Sequence, residues 1–378
     1  MTSKIIEDQK IIESLQSYMI KLRKNASLKS KNKRNDITKI IMTEIRKGYL
    51  DDKMIDRLVV FLKGTGCIAT KRSGGCTFCG FYNATNFNEK ISDESYFKQF
   101  EKTIINSVDQ YPVICIYNDG SLFCEEEISF SVVKKFMEYL ENLSFVKKVV
   151  LESRIVDLTE NKIIELKKIF SKKLEIAVGF ESANSQIRDF CINKSFTNEK
   201  FEEIVKFCKK YDVDIIPLMI FKPTFLTEKE AIDDYINSLI YLDQFNLKRI
   251  DMEILTIEKD TLAHLLWEKK LFYPPWLWSI VETLKIKNSK NLKTQLYISP
   301  ISYSVKAEAT PSNCDKCNQL FFKKFNEFNK IKNISIFDNL KCTCTKKWKE
   351  ALNILPNIES IPLRVLNFLE NIKITQYI

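Results

Sequence analysis

Between residues 58 and 255, six short apolar runs alternate with segments of helical periodicity, and this alternation restricts the fold more than any other feature of the chain. The runs are LVVFLK (58–63), VICIY (113–117), KKVVL (147–151), LEIAVGF (174–180), VDIIPLMIF (213–221) and RIDMEIL (249–255). They are rich in β-branched residues and apolar at consecutive positions, which suits strands of a parallel sheet covered on both faces. The segments 93–109, 127–142, 158–171, 197–210 and 227–244 carry apolar residues at helical spacing. In the fourth of these, Thr197 is the N-cap candidate with Glu199 in the first turn, although Lys200 stands where a full capping box needs Glu or Gln. Phe201, Ile204, Val205 and Cys208 share one face of that helix, which makes Cys208 a core residue. Repeated βα units predict an α/β fold, a partial (βα)6 barrel.

The C-terminal ends of barrel strands form the face on which chemistry is done. Polar groups gather at those ends: Asn118-Asp119-Gly120-Ser121, Glu152-Ser153-Arg154, Glu181-Ser182, Lys222-Pro223, and Glu253 to Thr256. One such group would pass as a solvated loop; five placed alike mark an active face.

The loop after the first strand, Lys63 to Tyr82, opens on the same face. It holds Cys67, Cys76 and Cys79 in a CX8CX2C spacing and five of the chain's eight glycines. The N-terminus has no signal-peptide character and no apolar run reaches the roughly 18 to 20 residues of a membrane helix, so the chain is expected to be cytoplasmic. In that compartment eleven cysteines argue for metal binding over disulfides. Three cysteines do not close a zinc site, which wants four ligands, although zinc completed by a distant residue is the alternative. A [4Fe–4S] cluster normally takes four thiolates. With three, one iron keeps an open position of the kind S-adenosylmethionine (SAM) chelates before an electron breaks its sulfonium C–S bond.

Four late cysteines form a second set. Cys314-X2-Cys317 and Cys342-X-Cys344 offer four thiolates within one small module, for which zinc is the default and a second iron–sulfur cluster the alternative. Cys115 sits inside an apolar strand and reads as core, Cys124 lies on the active face within reach of a cofactor, and Cys191 has no assigned role. His264 is the only histidine and has apolar neighbours, which weakens any Ser–His, Cys–His or histidine-rich metal scheme.

Three regions follow: a basic helical extension over 1–57, the barrel over 58–290, and a cysteine-rich module over 291–378 that includes the strand TQLYIS. In the first, IIEDQKIIESLQSYMIKL and DITKIIMTEIRK both show helical spacing. Between them, KLRKNASLKSKNKR carries seven basic residues and no acidic one, either a solvated linker or a phosphate-contacting segment in which Lys29, Lys31, Lys33 and Arg34 take part. A net charge of +10 favours a polyanionic partner such as nucleic acid.

The stretch GCIATKRSGGCTFCGF, followed by YNDGSLF, LESR, LEIAVGFESANSQIRDFCINKSFT, FKPTFLTEKEAI, LFYPPWLWS, SNCDKC and CTC, resembles the radical SAM subunit of archaeosine synthase (RaSEA) over roughly residues 58 to 350. It is more distantly similar to the radical SAM domain of the elongator catalytic subunit. The resemblance implies a radical SAM barrel in which Cys67, Cys76 and Cys79 hold the cluster. It places Asn118, Asp119, Gly120 and Ser121 by the SAM methionine moiety, Glu152, Ser153 and Arg154 near its carboxylate or ribose, and Glu181 by its hydroxyls. Lys222 and Glu253 would face substrate. The implied reaction cleaves the lysine C–N bond of a lysine-modified 7-cyano-7-deazaguanine in tRNA, leaving the archaeosine amidine, with a lysine transferase as partner. The chain departs from the family pattern at Ile155-Val156, at LTIEKDT and at SVKAEATPSN, mostly on the substrate side. A paralogue acting on another nucleoside, a small molecule or a protein, and a non-catalytic zinc protein that binds nucleic acid, are the alternatives.

Overall fold

A computed structural model describes residues 2–30, 36–51, 53–105, 110–301, 304–354 and 359–375. Its first half runs α1 (Thr2–Ser30), β1 (Met42–Leu50), β2 (Lys53–Phe61), α2 (Ile68–Arg72), α3 (Asp93–Ile105), β3 (Val113–Tyr117), α4 (Phe130–Glu141), β4 (Lys148–Ser153), α5 (Glu160–Ile169) and β5 (Lys173–Gly179). It continues with α6 (Asn198–Lys210), β6 (Val213–Phe221), α7 (Glu228–Asp243), β7 (Arg249–Ile254), β8 (Ile257–Glu258), α8 (Leu262–Glu268), α9 (Leu277–Ser289), β9 (Gln295–Ile298), β10 (Ala307–Ala309), α10 (Asn318–Ile331), α11 (Thr345–Leu352) and α12 (Ile361–Thr375).

Eight strands form one curled sheet in the order β1-β2-β3-β4-β5-β6-β7-β9. The six apolar runs are β2 to β7, consecutive and parallel as a partial (βα)6 barrel requires. The sheet extends beyond them at both ends. β9, which contains most of TQLYIS, adds parallel to β7, and β1 adds antiparallel to β2 with Met42 opposite Phe61. α6 starts as expected, with the Thr197 hydroxyl accepting from the Lys200 backbone N–H. The basic stretch 21–34 is helical as far as Ser30, within α1; the side chain of Lys29 and residues Lys31, Lys33 and Arg34 lie outside the described residues.

One element differs from its periodicity. Residues 36–47 read as a helix, but the chain turns and then enters β1. Within β1, Met42, Glu44, Arg46 and Gly48 lie on the more buried face while Thr43, Ile45 and Lys47 face solvent. So short an amphipathic segment fits either period, and pairing with the apolar edge of β2 decides between them. Arg46 completes the inward face by pairing with Glu44 at 2.7 Å and lying 5.3 Å from the Phe61 ring centre.

Strand alternation divides the core in two. A large outer core joins the helices to the sheet. A small inner one, built on Val59, Phe61, Val113, Cys115, Val150 and Ala177, lines the lumen. The same alternation turns Glu152 and Glu253 inward on β4 and β7. The N-terminal end of the lumen is closed by buried charges: Glu175 accepts from Lys148 at 2.9 Å and from Arg249 at 3.1 Å, and Arg249 also bonds Asp251 at 2.7 Å. Access is left at the opposite end, where the strands' C-termini and the cysteine loop meet. Among the described residues, no helix is long and apolar enough to cross a membrane.

Candidate active site

The cysteine loop leaves β2, makes the single turn of α2 with Cys67 at its N-cap, and returns through Cys76 and Cys79. Two of its glycines are demanded by close approach. A Cβ on Gly64 would sit 2.1 Å from the Asn118 carbonyl oxygen, and one on Gly74, which has φ +82°, would sit 2.3 Å from the Met19 Cβ. The loop is therefore pressed between the end of β3 and the N-terminal helix.

Side chains from distant elements hold its backbone. Glu127 accepts from Ile68 N–H at 2.8 Å and from Ser121 N–H at 2.7 Å, tying the cysteine loop to the loop after β3. Asn193, itself at φ +61°, donates to the carbonyls of Ser73 (2.7 Å) and Gly75 (2.8 Å). Asn193 follows a π-helical turn, Ile187–Ile192, whose Cys191 carbonyl accepts the hydroxyls of Thr77 at 2.6 Å and Thr224 at 2.5 Å. Cys191 thus serves through its backbone, while its thiol is buried. Glu258 accepts from the Gly80 N–H, and Arg23 of α1 reaches the carbonyls of Gly74, Cys76 and Cys79.

Burial pushes the Cys67 thiol up to about 12 and raises Cys76 and Cys79 as well. Lys194, Arg23 and Arg154 act in the opposite direction on Cys76. Free thiols here would stay protonated, whereas thiolates drawn onto a metal would find three cations around them. Thiolates on one zinc ion lie at most about 4.6 Å apart, twice the Zn–S bond. Among the described residues, only Cys314, Cys317, Cys342 and Cys344 form a metal-ligand group within 4.8 Å of one another. Cys67, Cys76 and Cys79 do not all fall within that distance of one another, which suits a larger centre better than a single ion.

The strand-end groups divide by location. Asn118 and Gly120 press on the cysteine loop, and Ser121, Glu152, Ser153 and Arg154 bond to that segment, to one another or to Glu127 beside it. Glu152 accepts from the N–H groups of Asn118 and Gly120, and the hydroxyls of Ser121 and Ser153 lie 3.4 Å apart. Both polar side-chain atoms of Asn118 are buried without a partner, and Asp119 takes the uncommon φ of +55°. An orphaned amide beside a cluster-type loop fits a polar cofactor that fills its bonds. Burial pushes the carboxyls of Glu152 and Asp119 up to about 8 and about 7. The Arg154 fork is taken by Asp157 at 2.8 and 3.0 Å, with Glu127 at 3.5 Å, so it offers charge more than open donors. Glu181, at φ +66°, accepts from Lys194 at 2.8 Å beside Cys76.

Lys222 and Glu253 lie elsewhere. Lys222 bonds Glu228 at 2.5 Å and the Tyr273 carbonyl at 3.0 Å, and it lines a cavity of about 1220 Å³ with Phe272, Trp276 and Arg364 but none of the cysteine loop. Glu253 accepts from the Ser299 hydroxyl at 2.5 Å inside the barrel. His264 stacks against Trp267 and lies 3.9 Å from Glu268, away from these groups.

Glu127, Lys194, Glu258 and Arg23 escaped the sequence reading. Glu127 is the third of three consecutive glutamates, with nothing local to distinguish it, and Arg23 is one of the seven bases of a charge run. Glu258 lies in LTIEKDT, where the chain departs from the pattern it otherwise resembles.

The late cysteines converge. Cys314 lies 3.5 Å from both Cys317 and Cys342, and Cys317 lies 3.6 Å from Cys344. A tetrahedron of 2.3 Å zinc–sulfur bonds has edges of about 3.8 Å, so the four suit a single ion. Trp278 donates its indole N–H to the Cys344 sulfur at 3.3 Å.

No family model matches the chain. It is 31% identical over 301 residues to archaeosine synthase subunit beta of Methanosarcina acetivorans, covering 79% of this chain and 85% of that one. It is 30% identical over 367 residues to an uncharacterized protein of Methanocaldococcus jannaschii, covering 94% and 98%. Among solved structures, the queuine lyase of Clostridium spiroforme aligns at a TM-score of 0.48 with 20% identity, over 70% of this chain and 99% of that one.

A partial barrel whose first parallel strand feeds a glycine-rich loop with three spread cysteines is a radical SAM architecture. Within that class, the chain belongs to the archaeosine synthase subunit beta family.

Proposed function

We propose that the chain is the radical SAM subunit of an archaeosine synthase, cleaving the lysine C–N bond of a lysine-modified 7-cyano-7-deazaguanine in tRNA to leave the amidine. The observation that carries the cofactor assignment is the half-buried thiol trio, not gathered closely enough for one ion, in a loop packed against the segment that bears the orphaned amide of Asn118. The substrate follows from the family. Cys67, Cys76 and Cys79 hold a [4Fe–4S] cluster that, with SAM bound, supplies a 5′-deoxyadenosyl radical.

The chain's own residues bind, orient and exclude water. Asn118 offers one donor and one acceptor to the methionine end of SAM, within a loop shaped by Glu152 and Glu127. Arg154 and Lys194 supply positive charge beside the thiolates. Glu181, Ser121 and Ser153 line the same face, and Glu253 with Ser299 presents a carboxylate and a hydroxyl to substrate from inside the barrel. Lys222 holds the Tyr273 carbonyl and so acts by positioning the aromatic block. The closed N-terminal end of the lumen keeps solvent from entering behind the substrate. Cys314, Cys317, Cys342 and Cys344 hold a structural zinc ion. The net charge of +10 suits tRNA, and a lysine transferase is the partner subunit.

The test is anaerobic reconstitution followed by incubation with SAM, a reductant and tRNA bearing the lysine adduct, with nucleosides read by mass spectrometry. The reading expects 5′-deoxyadenosine and the amidine base together. Absence of iron–sulfur absorbance and of SAM cleavage would sink the cofactor assignment, and SAM cleavage with unchanged tRNA would sink the substrate.

A further inference from the structure

α1 buries a stripe of Ile11, Leu15, Met19, Arg23 and Ala26 at helical spacing, packed on α2, α12 and the π-helical turn. Arg23 is the charged member, and only 2% of it is exposed. Its Nε donates to the Gly74 carbonyl at 2.9 Å, its Nη2 to those of Cys76 (3.0 Å) and Cys79 (2.7 Å), and its Nη1 to that of Asp260 at 3.1 Å. Three of these four acceptors belong to the cysteine loop. Among the described residues Arg23 makes no direct ion pair; the Glu258 carboxyl, which accepts from the Gly80 N–H, feels its charge without touching it.

A buried cation that touches no carboxylate is costly unless further negative charge lies close. The planar fork of a guanidinium also fixes several acceptors at once, which an ammonium cannot do. Both facts find one explanation in the loop. Arg23 holds the carbonyls of Cys76 and Cys79 in place, which sets its positive charge beside the two residues whose thiols would hold the centre. Nothing in the cysteine spacing requires this helix, since the strand pair β1–β2 separates α1 from the cysteine loop.

We infer that Arg23 is a positioning residue of the cluster site: its guanidinium locks the Gly74–Gly80 backbone in the liganding shape, and its charge balances the electron-rich centre bound there. The N-terminal helix is thereby a working part of the site rather than an appendage. The charge-balancing half rests on the proposed cluster; the locking half concerns the loop itself.

The experiment compares Arg23→Met and Arg23→Lys with the parent protein. Leu15→Ala serves as a control that weakens helix docking but keeps the guanidinium. Hydrogen–deuterium exchange of the metal-free, full-length protein reads peptides covering residues 74–80, and an EPR-monitored reductive titration reads the reconstituted protein. Arg23→Met should speed loop exchange about tenfold or more, the factor worth one charge-assisted hydrogen bond. It should also shift the midpoint potential to more negative values. Arg23→Lys should speed exchange but keep the potential near that of the parent, because it retains the charge without the fork. Unchanged loop exchange in Arg23→Met overturns the lock. An unchanged potential overturns the charge role, and Leu15→Ala reproducing both changes reduces Arg23 to helix docking. If even the parent takes up no iron, the cluster assignment falls, and the exchange data on the metal-free protein still decide whether Arg23 holds the loop.

Discussion

Glu175 carries the charge balance at the closed end of the barrel, and Glu175→Gln tests how far the scaffold depends on it. Its carboxylate is buried between Lys148 Nζ at 2.9 Å and Arg249 Nη1 at 3.1 Å, with a second contact to Arg249 at 2.5 Å. Burial alone would raise its pKa, but Arg249 and Lys148 outweigh burial and hold the carboxyl down at about 2, from 4.5. At about 1.4 kcal/mol for each tenfold change, a carboxyl held from 4.5 down to about 2 corresponds to about 3 kcal/mol. That agrees with the roughly 3 to 5 kcal/mol lost when one partner of a buried pair is removed. A depressed folded-state pKa contributes stability that is complete above the unfolded value and disappears as pH falls toward the folded one. Urea unfolding followed by circular dichroism should therefore show Glu175→Gln less stable by about 3 kcal/mol at pH 7. The gap should narrow as pH drops from about 4.5 toward 2. A gap under about 1 kcal/mol at neutral pH, or one constant across that acid range, would refute the reasoning.

Two further predictions concern the sites. Removing the metal from the C-terminal cysteines with a chelator should change tryptophan emission, because Trp278 donates to the Cys344 sulfur and stacks near Trp348; Cys314→Ser should reproduce the change, and emission blind to the metal would contradict the assignment. Asn118→Leu should weaken SAM binding by about tenfold or more, since both ends of the amide are otherwise available to the ligand. Equilibrium dialysis on the reconstituted protein measures this, and unchanged affinity would remove Asn118 from the site.

Much of the scaffold was legible in the sequence because burial leaves a local mark. β2 to β7 lie between helices on one side and the lumen on the other, so their runs are apolar throughout and announce a parallel sheet. Thr197 could be read as a cap because a cap is a contact three residues long. The cysteine spacings likewise marked two separate metal-type sites. β1 was not legible: Met42 to Leu50 is amphipathic in either period, and only the unpaired edge of β2 made it a strand.

The finer site depends on partners far apart in sequence. The βα order, the three loop thiols and the four late ones could be read from the amino acids alone, since each is written in local periodicity or spacing. The folded chain was needed to find that Arg154 gives its fork to Asp157, that Glu127 rather than Glu125 or Glu126 joins two loops of the site, and that Arg23, in the charge run, holds the cysteine loop. The physical reason is that a charged group's role is set by which backbone groups and ions surround it once water is excluded, and those neighbours come from elements that no local pattern connects.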